Sequence, residues 1–369
     1  MRRARALVGI AAGVALLLTS ACSGASGTTG GGGGGDSEAE AEAKLTGLAL
    51  LFRGYDGGDP EESQALVFVD PDDGTEKTAI ALPERALDPM VPGIPAYAMF
   101  SEDWQFFVYA TPDATDLQLA QLNADRTAYE PVSAITPQAS EEWGEPRIQG
   151  DRIWFSARTQ AQGSPPSVRV MSVPLEDPTS SPKQAGQLPA GEDGKPDPWT
   201  LTPDDALHIR EQVPIAQMTG QDGSSLTVRK NGEHLMNATL TVGGKQWQSL
   251  ESAPVWGEGG IIVGPAARGQ AQGRPQGQDG GASGGDGGAQ LITLDDSGQG
   301  YTTTQLLAPG DGAVVQYAPA PDRDAVLLQT DSTWYRIDLE DGKASQEADF
   351  PVPHDASLDG YPLVAGWAT

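Results

Sequence analysis

The sequence predicts an all-β fold made of repeated antiparallel units, and three observations predict it. A strand, a tight acidic or glycine turn and a second strand recur six times, with turns near residues 74, 125, 177, 232, 298 and 342. A second signature, a small residue or Thr, any residue, then Asp, stands upstream of several of these hairpins. No long segment with a 3.6-residue apolar period competes, and 29 prolines and 47 glycines supply many short loops. The hairpins recur about every 50 residues, a spacing in the range of β-propeller blades.

In order, the hairpins turn at Asp70–Gly74, Asn123–Arg126, Glu176–Asp177, Asn231–Gly232, Asp295–Gly298 and within "WYRIDLEDGKAS", residues 334–345. The Asn-Gly pair at 231–232 suits a type I′ turn, whose twist matches the flanking strands. The wide gap between the fourth and fifth turns holds a Gly-rich stretch at about 267–289, read as a disordered insert. Removing it roughly restores the period.

The second signature reads Ser101-Glu-Asp103, Thr202-Pro-Asp204, Ala320-Pro-Asp322 and, more loosely, Ser357-Leu-Asp359. Tyr97, Trp199 and Tyr317 precede the first three, and an apolar strand follows each. Two further units, "PRIQGDRIWFSA" and "APVWGEGGIIVG", keep the strand–turn–strand shape without the Asp. The signature resembles the turn of TolB-like and WD40-like β-propeller repeats, over about residues 45–369. The resemblance implies four-stranded blades: an inner strand, the Asp turn, an apolar strand, then the hairpin. It implies no particular activity, since propellers host many.

The strand count gives six blades. The first apolar run of the body, "LTGLALLFRG", has no inner strand before it, and the last, "YPLVAGWAT", has no partner after it. The expectation is that the C-terminal strand pairs with the N-terminal strands as the inner strand of the first blade, which leaves no open sheet edge. A seventh blade would require a degenerate unit in residues 83–95 or 349–360.

The body is preceded by segments of a different kind. Arg2, Arg3 and Arg5 form a basic start, and an apolar run follows from about Ala6 to Leu18. The run is shorter than the roughly 20 residues a membrane span needs, and suits a signal peptide. Thr19-Ser20-Ala21-Cys22 resembles the lipobox of bacterial lipoproteins, with Thr19 where Leu is usual. That resemblance implies cleavage of residues 1–21, diacylglycerol on the Cys22 thiol and a palmitate-bearing, membrane-anchored protein on the extracytoplasmic face. Residues 22–44 hold the Cys and a Gly/Ser/Glu-rich run, a flexible tether. Cys22 is the only cysteine, so the body holds no disulfide and depends on its core. The Ala, Gly and Arg usage looks like that of a high-GC actinobacterium.

Lys and Arg total 23 against 51 Asp and Glu, a formal charge of −28; loss of a leader with three arginines makes it −31. Such a chain does not bind nucleic acid by neutralising phosphates. It meets anionic lipid with repulsion, so the acyl anchor must hold it at the membrane.

Candidate chemistry is sparse. Gly281-Ala-Ser-Gly-Gly285 matches the pattern of a nucleophile elbow but lies in a glycine run, where neither the strand nor the helix of that elbow can form. His208, His234 and His354 are far apart, without the spacing of a metal site. Asp70, Asp72 and Asp73 look like a calcium-loop fragment but are too few for an EF-hand, so they read as a turn, with a weak structural calcium site among them as the alternative. Trp154, Trp199, Trp256 and Trp334 fall in strand positions and read as blade packing rather than sugar stacking. No metal, cofactor or catalytic residue is expected.

The loops after the second strand of several blades are long, and loops carry function more often than scaffold does. The expected ligand surface is therefore the long-loop face, near Tyr55, Arg158, Arg210 and Gln217. The reading is a non-catalytic β-propeller lipoprotein that binds a protein or envelope ligand. One alternative is a propeller enzyme acting on carbohydrate or peptidoglycan fragments. The other is an accessory or sensory subunit of an envelope system, by analogy with actinobacterial propeller lipoproteins that partner membrane kinases.

Overall fold

The computed structural model describes residues 44–53, 64–88, 94–111, 116–137, 141–159, 167–189, 199–202, 206–231, 234–250, 260–265, 288–295, 297–308, 310–330, 333–339, 343–348 and 362–369. Cys22, the tether up to Ala43, Tyr55, Trp256, the Gly281–Gly285 stretch, His354 and the signature at Ser357 lie outside them. So does the Gly-rich insert, except for its last two residues: Gly288 bridges to Ala313 and Ala289 opens a strand.

Among the described residues the fold is all-β, with only two 3-10 turns, η1 (Ala96–Ala98) and η2 (Arg210–Gln212). β1 (Gly47–Phe52), β2 (Ala65–Val69) and β3 (Glu76–Ala81) form a meander. A second holds β4 (Phe106–Ala110), β5 (Leu117–Leu122) and β6 (Tyr129–Ile135). The third holds β7 (Glu141–Gln149), β8 (Arg152–Thr159), β9 (Ser167–Pro174) and β10 (Lys183–Leu188). β11 (Trp199–Leu201) and β12 (Leu207–Ile209) make a two-stranded sheet.

Seven strands follow in one sheet. They are β13 (Ile215–Thr219), β14 (Ser225–Asn231), β15 (His234–Val242), β16 (Lys245–Ser249), β17 (Gly260–Pro265), β18 (Ala289–Leu294) and β19 (Tyr301–Leu307). The last meander is β20 (Val314–Pro319), β21 (Ala325–Thr330), β22 (Trp334–Asp338) and β23 (Lys343–Ala348). β24 (Leu363–Ala368) then hydrogen-bonds antiparallel to β1, giving the order β24-β1-β2-β3.

Burial explains which residues make which strand. β1 and β2, GLALLF and ALVFV, are buried at every position because both sheet faces are covered. Their side chains divide with period 2. Ala49 and Leu51 join Phe68, Trp104, Phe107 and Tyr129 toward the second sheet, whereas Leu48, Leu50 and Phe52 join Ala318, Leu327 and Trp334 toward the last. The outer strand β3 is polar and largely exposed, with Glu76 and Lys77 in it, and β10 is likewise exposed over most of its length. Charged outer strands discourage pairing with other chains.

Further clusters join neighbouring sheets. Val108, Leu117 and Leu119 meet Trp143, Ile153 and Phe155. Trp154, Val168 and Val170 on the third sheet meet Trp199, Leu201 and Ile209 on the short pair. The His208 ring lies against Met236 Sδ at 2.9 Å, tying β12 to β15. Within the seven-stranded sheet, Leu226, Val228 and Leu240 share a core with Trp247, Ile261 and Ile292. Ile262 and Leu306 pack with Tyr317, Val326 and Leu328.

The strands of all six expected hairpins pair with one another. The expectation of four-stranded units throughout needs correction in two places. Before Ser101 there is no inner strand: Pro95, which has no N–H to give a ladder, leads into η1, and only a Phe100–Phe107 bridge remains. The segment after Arg210, read as a long loop, contains β13 paired to β14. Gly243 and Gly244, at φ 56° and 80°, turn β15 straight into β16, and β16 also pairs with β17. A two-glycine turn of this kind holds a tight hairpin, so seven strands run on without a break.

Ending the chain before Tyr361 removes β24 from the first sheet. The faces of β1 and the apolar side chains of Leu363, Val364 and Trp367 lose their contacts, each worth roughly 1.5–3 kcal/mol. The expected outcome is aggregation or a much lower melting temperature; a truncated chain that melts like the intact one would show β24 to be dispensable.

Burial also makes the fold sensitive to alkali. It holds the Tyr109 hydroxyl up to about 12, and raises Tyr129, with help from the Asp103 charge, and Tyr317, with help from Tyr97. In the unfolded chain phenols ionise near 10. The neutral phenols therefore stabilise the fold fully below about pH 10, and that contribution falls as pH rises from about 10 toward 12. Melting temperature should drop over this range while phenolate absorbance from these three appears only with unfolding. Reversible ionisation of all eight tyrosines without loss of structure would contradict it.

Candidate functional site

The residues that meet at the inner edge of β24 come from three distant stretches. β24 pairs on one side with β1, in the register Leu48–Trp367 and Leu50–Val364. On its other side it is held by a side chain. The Gln316 amide, 9% exposed, accepts the Val364 N–H at 2.9 Å and donates to the Pro362 carbonyl at 2.6 Å. Gln316 Nε2 also donates to Gln329 Oε1 on the next strand. A glutamine has one acceptor and two donors in its amide, so it mimics the backbone partner that β24 lacks on this side.

Beside this clamp lies a groove of about 260 Å³. Tyr97 from η1, Pro319 from the end of β20, Pro321 from the turn after it, and Trp367 from β24 wall it, over Val364 and Ala365. Its lining is aromatic and aliphatic. It is smaller than the roughly 300–1,000 Å³ of pockets that enclose a small-molecule ligand. A surface of this kind takes an apolar side chain by burial; none of the lining side chains is a base or a nucleophile of ordinary reactivity.

The Asp turns position these walls. In the first, Ser101 Oγ donates to Asp103 Oδ1 at 2.6 Å and accepts the Phe106 N–H at 2.9 Å, while the same carboxylate oxygen accepts the Gln105 N–H at 3.1 Å. The Ser and Asp of the signature thus satisfy the turn's own backbone. Trp104 follows in the left-handed region at φ 61°, costly for a bulky residue. It is pinned there edge-on to Phe68, ring centroids 5.1 Å apart, and its carbonyl accepts the Tyr129 hydroxyl at 2.8 Å. Its ring lies so close to Gly366 that a Cβ there would come within 3.3 Å of it, which explains a glycine in the middle of β24. Arg323 takes the same left-handed place, φ 62°, in the turn that carries Pro321.

The site residues expected from sequence do not converge here. Arg158 lies near the end of β8, opposite Glu142 and Val168. Arg210 opens η2, and its carbonyl accepts Arg229 Nη1 at 2.9 Å. Gln217 stands in β13 opposite Thr227, not in a loop. None of the three lines the groove, which lies toward the end of the first sheet that carries the Asp70–Thr75 turn.

The other candidates are accounted for by structure. Asp70 Oδ1 accepts the Asp72 N–H, Asp73 Oδ1 accepts the Thr75 N–H, Asp70 pairs with Lys77 at 2.9 Å and Asp72 with Arg336. Among the described residues no group of three His, Cys, Asp or Glu is placed to hold a metal. Trp154, Trp199 and Trp334 are buried. Trp199 donates to Glu145 Oε2 at 2.7 Å and carries the Arg147 guanidinium 4.0 Å above its ring. Sequence reasoning noted Tyr97 only as part of a repeat, and Trp367 only within the apolar C-terminal run. The one available signal was that Tyr97 stays half-exposed where its counterpart Tyr317 is buried, and that is not written in the sequence.

No protein-family model matches the chain, and no curated protein matches it. Among solved structures it is similar to a putative 6-phosphogluconolactonase from Bacteroides fragilis, at 9% identity and TM-score 0.39, over 89% of this chain and 98% of that one. It is similar to the periplasmic gluconolactonase PpgL of Pseudomonas aeruginosa, at 13% identity and TM-score 0.37, over 87% and 97%. TolB from Acinetobacter baumannii matches at 12% identity and TM-score 0.34, over 82% of this chain and 65% of that one. Likeness of this degree carries nothing about activity.

Replacing Gln316 by Leu leaves the Val364 N–H and the Pro362 carbonyl without their partner, each at a cost of about 1–3 kcal/mol. The denaturation midpoint should fall accordingly, and β24 amides should exchange faster than those of β2. An unchanged midpoint with unchanged exchange would mean the clamp contributes nothing.

Proposed function

We propose that the chain is an extracytoplasmic lipoprotein, anchored by diacylglycerol on Cys22, whose residues 45–369 form a six-bladed β-propeller that binds a protein or envelope ligand without catalysing a reaction. The ring is supported by the order in which the sheets pack. Five core clusters each join one sheet to another, the His208–Met236 contact links the short pair to the seven-stranded sheet, one cluster lies within that sheet, and the first sheet has the last against its other face. The count of six takes β11–β15 as one unit and β16–β19 as the next.

The observation that carries a binding role is the make-up of the groove. Its walls, Tyr97, Pro319, Pro321 and Trp367, offer apolar contact area at low conformational cost. They offer no paired acid and base. Recognition of a side chain presented by another protein uses such a surface fully, whereas hydrolysis of a glycosidic bond needs two positioned carboxylates.

The anchor is tested by labelled palmitate. Wild-type protein should incorporate it, and Cys22→Ala should abolish incorporation and release the protein from the membrane or leave it unprocessed. Unlabelled wild type would end the lipoprotein reading. The binding role is tested in cells by placing a photo-crosslinking residue at Trp367. A discrete crosslinked partner is expected there and not from the same residue placed at Val132, which is 53% exposed on β6.

A further inference from the structure

The groove has a rim as well as walls. Pro321 lines it, and the next residue, Asp322, is exposed. On the opposite side Gly366 lines it, and the Trp104 ring lies against Gly366. The two residues before Trp104, Glu102 and Asp103, are both exposed. The carboxylates therefore stand on the two turns that flank the end of β24, each turn built by the same Asp signature, with one exposed cation, Arg323, following Asp322 in the second. An apolar floor edged by carboxylates is the complement of an apolar side chain flanked by basic ones.

Resting on the binding role proposed above, we infer that the partner is a protein segment that inserts one apolar side chain between Tyr97, Pro321 and Trp367 and sets Lys or Arg residues against Glu102, Asp103 and Asp322. Two further considerations fix this class. The volume of about 260 Å³ suits one side chain and lies below the roughly 300–1,000 Å³ of pockets that enclose drug-sized ligands. The net charge of −28 over the whole sequence gives the protein a long-range attraction for basic partners, and places a cost on acidic ones. The apolar contact supplies the affinity, and the rim selects the partner and speeds the encounter. Rim pairs are weakened by salt, because charges more than about 8 Å apart are screened at physiological ionic strength.

The test uses the full mature protein in detergent and a fluorescein-labelled heptapeptide, Gly-Lys-Lys-Leu-Lys-Lys-Gly, followed by anisotropy. One control peptide has Glu in place of Lys, and the other has Gly in place of Leu. The Lys–Leu peptide should bind at least about tenfold more tightly than either control at low salt, and should weaken as salt is added. The double variant Glu102→Lys, Asp322→Asn changes the charge of two exposed side chains while Asn keeps the oxygen that accepts the Asp324 N–H, and should weaken it at least about tenfold with an unchanged melting temperature. Tyr97→Ala should weaken it at every salt concentration, since it removes the apolar contact and not the charge. Equal binding of the Lys and Glu peptides, or indifference to both variants, overturns the inference. If the crosslinking residue at Trp367 captures a partner while the Lys–Leu peptide fails, the class of partner is wrong and the binding role stands. If neither binds, both fall.

Discussion

The pairing of the last strand with the first is the constraint on which the remaining structure depends. Five residue pairs, from Gly47–Ala368 to Leu51–Leu363, join β24 to β1. Every residue of β1 and β2 is buried, so the first sheet has no face that tolerates water. Its stability is therefore conditional on three things arriving together: β24 at its edge, the Trp104 and Phe107 side chains on one face, and the Ala318 and Leu327 side chains on the other. Gln316 makes the condition specific. An apolar residue at 316 could fill the same space, yet it could meet neither the N–H of Val364 nor the carbonyl of Pro362, as the Gln316 amide does.

The same economy governs the turns. Ser101 and Asp103 spend their polar atoms on the turn backbone, which frees the following residue to take a left-handed conformation that only a crowded setting can hold. Trp104 occupies that place in one turn and Arg323 in another. One of these residues became part of the core and the other stayed at the surface, so a single local device gives both a packing anchor and an exposed rim. The groove exists because these two turns stand on either side of a strand that has a glycine in it.

Much of this architecture was legible in the residues. Period-2 runs bounded by Asp, Asn and Gly mark strands and turns because the backbone must bend where side chains cannot pack, and all six hairpins came from that signal. What was not legible follows from physics too. β13, Ile-Ala-Gln-Met-Thr, is short and only weakly alternating, and it sits between a proline and a glycine, so its residues look like loop. The Gly243–Gly244 turn is a strong hairpin signal, but it joined two units that the repeat pattern kept apart. The groove was invisible for a different reason. Tyr97, Pro321 and Trp367 are far apart in the chain, and an aromatic residue half-covered by its neighbours has the same letter as one fully covered. The loops expected to hold the site were chosen for length, and length says nothing about whether walls converge.

The position of β24 has a consequence for how the protein is made. A chain synthesised from its N-terminus releases Gly47–Val69 long before Leu363 emerges. For that interval β1 lacks its edge partner, and both β1 and β2 lack the cover of the last sheet on one face. Contacts of such long sequence separation form slowly, because loop closure must come before any gain from the contact. Until then the exposed strands are open to aggregation. The first sheet is the earliest to be synthesised and the last that can be completed, so the yield of folded protein depends on how the chain survives that wait rather than on the depth of its final minimum.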